Sequence, residues 1–138
     1  MPVSFDPRAI TEAFNTDPEF VLCARYWEGT LEFGVGDSLY TITMAAGKVS
    51  GVAVTPYEPL ADEGRQDGSR RVRISAPAGD WENMVKDPAP PFYLDYYSAS
   101  AHHDFVLDGD RESLWAYYPA IRRTAELFRA LAQGKVSA

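Results

Sequence analysis

The chain of 138 residues carries one cysteine, Cys23, and two histidines, His102 and His103. A lone thiol cannot close an internal disulfide, which fits a reducing compartment. The two histidines are adjacent, so in an extended segment their rings point to opposite faces and cannot share one metal. With no third histidine and no second cysteine, no metal site is expected. Basic residues are also scarce: 13 Lys and Arg stand against 20 Asp and Glu, for a formal net charge of -7. A nucleic-acid binder shows a basic stripe instead, so nucleic acid is not an expected partner. No stretch approaches the roughly 20 apolar residues of a membrane span, and residues 1–15 lack an apolar core of signal-peptide length. These shortages lead to the expectation of a cytoplasmic domain with no stable membrane insertion. No repeat, low-complexity tract or linker divides the chain, so it reads as a single domain over residues 1–138.

What is present begins with Cys23 to Thr55, which reads as three strands joined by two tight turns. Trp27, Leu31, Phe33 and Val35 fall on one face of the first strand, with Glu28, Thr30 and Glu32 on the other. Gly36-Asp37-Ser38 turns the chain into a run rich in Tyr, Thr and Ile, and Ala46-Gly47-Lys48 turns it again toward Val49, Val52 and Val54. Before the meander, Asp6-Pro7 opens a short helix whose apolar face is Ile10, Ala13 and Phe14. Asp17-Pro18 repeats the signal for a single turn. After it, residues 56–70 carry two prolines, two glycines and mixed charge without periodicity, which predicts a long exposed loop.

Arg71 to Ala76 alternates again, with Val72, Ile74 and Ala76 inward and Arg71, Arg73 and Ser75 outward, the arginines as solvated charges. Asp80 is placed to cap a short helix bearing Trp81, Met84 and Val85. Phe92 to Ser100 predicts a second short helix, on which 92 and 96 stack with 93 and 97 beside them. His103 to Asp108 reads as a fifth strand. Asp110 caps the last helix, whose stripe is Leu114, Tyr118, Ile121, Ala125, Phe128 and Leu131; Pro119 kinks or splits it near Tyr118. The order of elements is that of an α+β fold: a five-stranded, mostly antiparallel sheet covered on one face by helices.

This ordered set resembles the sterol carrier protein-2 family of lipid-transfer domains. The matching pieces are Gly47-Lys48-Val49 at the second turn, the strand Val72-Arg73-Ile74, the segment from Asp80 to Val85 after it, and Phe105-Val106-Leu107-Asp108-Gly109-Asp110 before a C-terminal helix. The resemblance covers about residues 20–132. It implies an apolar tunnel between sheet and helices that holds sterols, fatty acids or acyl-CoA non-covalently, with no catalytic residue and no cofactor. The loop at 56–70 is longer and more charged than that family's pattern, and residues 92–97 are more aromatic.

The residues that would touch such a ligand are Trp81, Met84, Phe92, Tyr93, Tyr96, Tyr97, His103, Phe105 and Tyr118. Aromatic side chains in that number serve equally well as plain core, with tyrosine hydroxyls reaching water. The expected function is a non-catalytic carrier or binding module for a small hydrophobic ligand; a homodimer through a strand edge or helix face is left open. The competing reading is an isomerase, hydratase or cyclase on a cone-shaped scaffold, using His103. That scaffold ends in strands, so a strand in place of the helix after Asp110 would favour it.

Overall fold

Two Asp-Pro steps open the first two helices. In a computed structural model, which describes residues 3–58 and 70–134, Asp6 caps helix α1 (Pro7–Thr16) by accepting from the Arg8 amide at 3.0 Å. Asp17 caps α2 (Pro18–Ala24) through the Phe20 amide at 2.8 Å. The sequence foresaw a single turn here; α2 runs to Ala24. Asp17 also receives Arg123 in a two-pronged pair, at 3.0 and 2.9 Å, which ties α2 to the last helix. That guanidinium holds the Asp17 carboxyl below the usual carboxylate range.

The meander is β1 (Gly29–Val35), β2 (Ser38–Ala45) and β3 (Lys48–Pro56), antiparallel throughout. Ala46 and Gly47 both lie at positive φ, 52° and 76°, as a two-residue hairpin turn between strands with right-handed twist requires. β4 (Arg71–Ala76) then lies beside β1, and β5 (Val106–Gly109) beside β4. The sheet order is β3-β2-β1-β4-β5, with β1 and β4 parallel and every other pair antiparallel. The loop expected over 56–70 is described only at its ends; 59–69 lie outside the described residues.

Leu31, Phe33, Ile42, Val72 and Ile74 have no exposed surface, and the helices close over them. Those helices are α3 (Ala78–Met84), α4 (Tyr96–His102), α5 (Arg111–Ala116) and α6 (Tyr118–Ala132). The break at Tyr117 is the split foreseen at Pro119, which sits in the first turn of α6.

Several expectations give way. Arg71 and Arg73 do lie on the outer face, but they are not solvated: they are 6% and 4% exposed, and Glu32 is 5% exposed. Register places Glu32 opposite Arg73. The Glu32 carboxylate accepts from Arg73 Nε at 3.0 Å, pairs with Arg73 Nη2 at 2.9 Å and with Arg71 Nη1 at 3.4 Å. Tyr57, just past β3, lies over the Arg73 guanidinium at 5.2 Å. Charges taken from water must be paired, and here they are. The outer face of a sheet is solvated only where nothing crosses it.

The helix expected from Phe92 begins only at Tyr96, where Asp95 accepts from the Ser98 amide at 2.8 Å. Phe92 itself sits at φ 67°, outside any helix, after Pro90-Pro91. Residues 92 and 93 therefore do not share a helical face with 96 and 97. His102 ends α4 and His103 is its C-cap, so the fifth strand is shorter than read and the histidines do not alternate across it. Asp80 is not a cap either. It lies in the first turn of α3, where its carboxylate accepts from the Tyr93 hydroxyl at 2.9 Å and the Asp104 amide at 3.1 Å.

Candidate functional site

Of the residues chosen from sequence, Trp81, Met84, Tyr93, Tyr96 and Phe105 are buried and pack as core. Trp81 has Phe105 at 5.1 Å, Phe128 at 5.7 Å, Phe33 at 5.9 Å and Tyr96 at 6.0 Å, all tilted or edge-on, the arrangement aromatic quadrupoles prefer. Its indole Nε1 donates to the Gly34 carbonyl at 2.9 Å, which fixes α3 on β1. The Met84 carbonyl accepts from Arg129 Nε and Nη2 at 3.1 and 2.8 Å.

The other four lie nearer the surface. Phe92 is half exposed and stacks on His102 at 3.7 Å. His103 is half-buried, stacks on Tyr93 at 3.9 Å, and its Nε2 lies 3.1 Å from the Pro91 carbonyl. Desolvation raises the Tyr93 phenol above its ordinary range. Tyr97 is exposed and its ring meets Trp115. The Tyr118 hydroxyl accepts from the Tyr97 amide at 3.0 Å, and burial pushes that phenol up to about 12. Both histidines thus face the 91–93 turn, stacked on consecutive aromatic rings. Among the described residues, no group of three His, Cys, Asp or Glu side chains is placed to hold a metal ion.

A space that could hold a ligand lies away from these residues. A cleft of about 700 Å³ opens at one end of the sheet, where β1 ends at Val35, β4 ends at Ala76 and β5 begins at Val106. Pro77 and Ala78, at the start of α3, form one wall, and Tyr57 and Val3 form another. Ser38, Ser75, Asp37 and Asp104 add polar groups at the rim. None of the nine sequence-chosen residues lines it. The nearest link is Asp80, which holds the Asp104 backbone to the Tyr93 hydroxyl. The missing signal was the parallel pairing of β1 with β4, which brings two strand ends together; in the sequence, Gly36-Asp37 and Pro77-Ala78 look like ordinary chain punctuation.

No family model matches the chain, and no curated relative matches it. Solved structures do. A crystal structure of sterol carrier protein 2 superposes with a TM-score of 0.65 at 19% identity, covering 91% of this chain and 94% of that one. A conserved hypothetical protein from Thermus thermophilus, named as a candidate sterol carrier protein, superposes at 0.63 and 19% identity, covering 94% and 88%. The chain has a sterol carrier protein 2-like fold, an α+β layout with a five-stranded mixed sheet. Helices, not a strand, follow Asp110, so the topology that would have favoured the cone-shaped enzyme scaffold is not found. Among the described residues, no helix is long and apolar enough to cross a membrane.

Proposed function

We propose that this protein is a binding or carrier module for a small hydrophobic ligand, an acyl chain or a sterol-like molecule, seated in the cleft at the Val35–Ala76 end of the sheet. The observation that carries the reading is the cleft itself. Its volume, about 700 Å³, is of ligand size, and its walls are mainly apolar, with Val35, Ala76, Pro77, Ala78 and Val106 around a few hydroxyls and carboxylates at the rim. Such a lining suits an apolar body with one polar end. The fold shared with a sterol carrier protein supports the class of ligand. The same reading puts the protein in the cytoplasm, where a single free thiol persists.

The test is displacement of a fluorescent fatty acid, with native mass spectrometry of the purified chain for any co-purifying lipid. Val106 is 54% exposed on the edge strand, so Val106→Glu puts a carboxylate in the mouth with little effect on folding. The variant should bind the probe at least about tenfold more weakly, the loss that roughly 1.4 kcal/mol produces. Silence of the native protein toward fatty acids, sterols and phospholipids, or unchanged binding by the variant, overturns the proposal.

A further inference from the structure

Tyr26 sits in the left-handed region, at φ 77°, and the residue is 78% exposed. It follows the end of α2, where Arg25 is the C-cap and the Trp27 amide donates to the Ala24 carbonyl at 2.9 Å. Glycine or asparagine makes such a turn without strain; a tyrosine there costs stability, and its exposed ring recovers none by burial. Strain of this kind collects at binding sites.

A second cleft, of about 400 Å³, adjoins it. Leu22, Cys23, Arg25, Tyr26, Tyr117 and Pro119 are among its lining residues. Among the described lining residues Arg25 alone is charged, in a chain whose net charge is -7. Its guanidinium lies 5.6 Å from the Tyr26 ring centre, and Nη1 donates to the Leu22 carbonyl at 3.3 Å. Among the described residues no carboxylate pairs with it. Behind Tyr117 lies Trp27, parallel at 4.8 Å and fully buried, and its Nε1–H has no hydrogen-bond partner among the described residues. A strained tyrosine thus lies at one opening that offers two tyrosine rings, apolar side chains and one cation, with the Trp27–Tyr117 stack behind it.

We propose that this cleft is a second small-molecule site, selective for a flat aromatic anion such as an aryl carboxylate. The rings of Tyr26 and Tyr117 supply stacking faces, Leu22 and Pro119 supply apolar contacts, and Arg25 pairs with the anion. The site is separate from the lipid cleft. It lies at the Gly29 end of β1, a strand roughly 20 Å long at about 3.3 Å per residue, and shares no lining residue with the other.

The experiment titrates the full chain with 2-naphthoate and, separately, with the neutral 2-naphthalenemethanol, followed by probe fluorescence. Naphthoate should bind at least about tenfold more tightly than the alcohol, and Arg25→Gln should remove that difference, as loss of one charge-assisted contact implies. Tyr26→Gly separates site from scaffold. It relieves the left-handed strain, so its melting temperature should rise while naphthoate binding falls at least about tenfold. Val106→Glu should leave naphthoate binding unchanged. No naphthoate binding by the native chain, equal binding of acid and alcohol, or native affinity in Tyr26→Gly would each overturn the assignment.

Discussion

The hydroxyls of Tyr96 and Thr124 lie 2.7 Å apart, and neither side chain has any exposed surface. Thr124 Oγ1 donates its proton to the Ile121 carbonyl at 2.6 Å, so the phenol must be the donor between the two. The pair joins α4 to α6 directly above Phe33, whose ring lies 6.0 Å from Tyr96. A buried polar link of this kind makes the two substitutions unequal. Tyr96→Phe removes a donor and leaves Thr124 still bonded, for a loss of about 1 kcal/mol. Thr124→Val leaves the phenol proton buried with nothing to accept it, for a loss of about 2–3 kcal/mol. Urea unfolding of both variants checks the order, and a Tyr96→Phe loss larger than that of Thr124→Val contradicts the donor assignment.

Alkali should unfold the protein through the same residue. Burial raises the Tyr96 phenol well above its ordinary value of 10.0, and burial also lifts Tyr118, to about 12. Both are neutral in the folded chain where the unfolded chain is already ionised. The unfolded state therefore binds fewer protons above pH 10, and stability falls as pH rises from there through the folded values. Stability measured between pH 8 and 11.5 should stay level to about pH 10 and then decline. Tyr96→Phe should flatten that decline, although it starts from a lower plateau.

Gly34 carries a different prediction. A Cβ at this position would lie 2.6 Å from the Tyr57 ring and 2.8 Å from the Ser75 Cβ. The absent side chain is what lets Tyr57 lie flat on the outer face of β1 and cover Arg73. Gly34→Ala should cost about 1–3 kcal/mol by overpacking, against the small gain alanine gives in an unhindered strand. Because Tyr57 also lines the cleft proposed to hold the ligand, that proposal predicts weaker fatty-acid binding by the variant as well. Thermal melts and the displacement assay read the two effects separately.

The elements themselves were legible because their causes are local. Asp6-Pro7 and Asp17-Pro18 announce helix starts by a cap and a pre-set φ, Ala46-Gly47 announces a hairpin, and Pro119 announces the break between α5 and α6. The inward face of the sheet was legible too, since alternation fixes which of Leu31, Phe33, Val72 and Ile74 share a side. Errors fell where a distant partner intervened. Asp80 looks like a cap until the Tyr93 hydroxyl and the Asp104 amide claim its oxygens. Phe92 looks helical until its backbone turns left-handed after two prolines.

From the sequence alone follow the α+β class, the strand and helix order, the resemblance to lipid-transfer domains and the apolar content of the core, because propensity and periodicity act over a few residues. The tertiary structure alone decided that β4 runs parallel beside β1, that Glu32 is buried with Arg71 and Arg73, and that a cleft of about 700 Å³ opens at the sheet's end without Tyr93, Tyr96, Tyr97 or Tyr118 in its lining. Those outcomes depend on contacts between residues some forty positions apart, such as Glu32 with Arg73 at a separation of 41. Side-chain packing energies of that range leave no periodic mark in the chain that makes them.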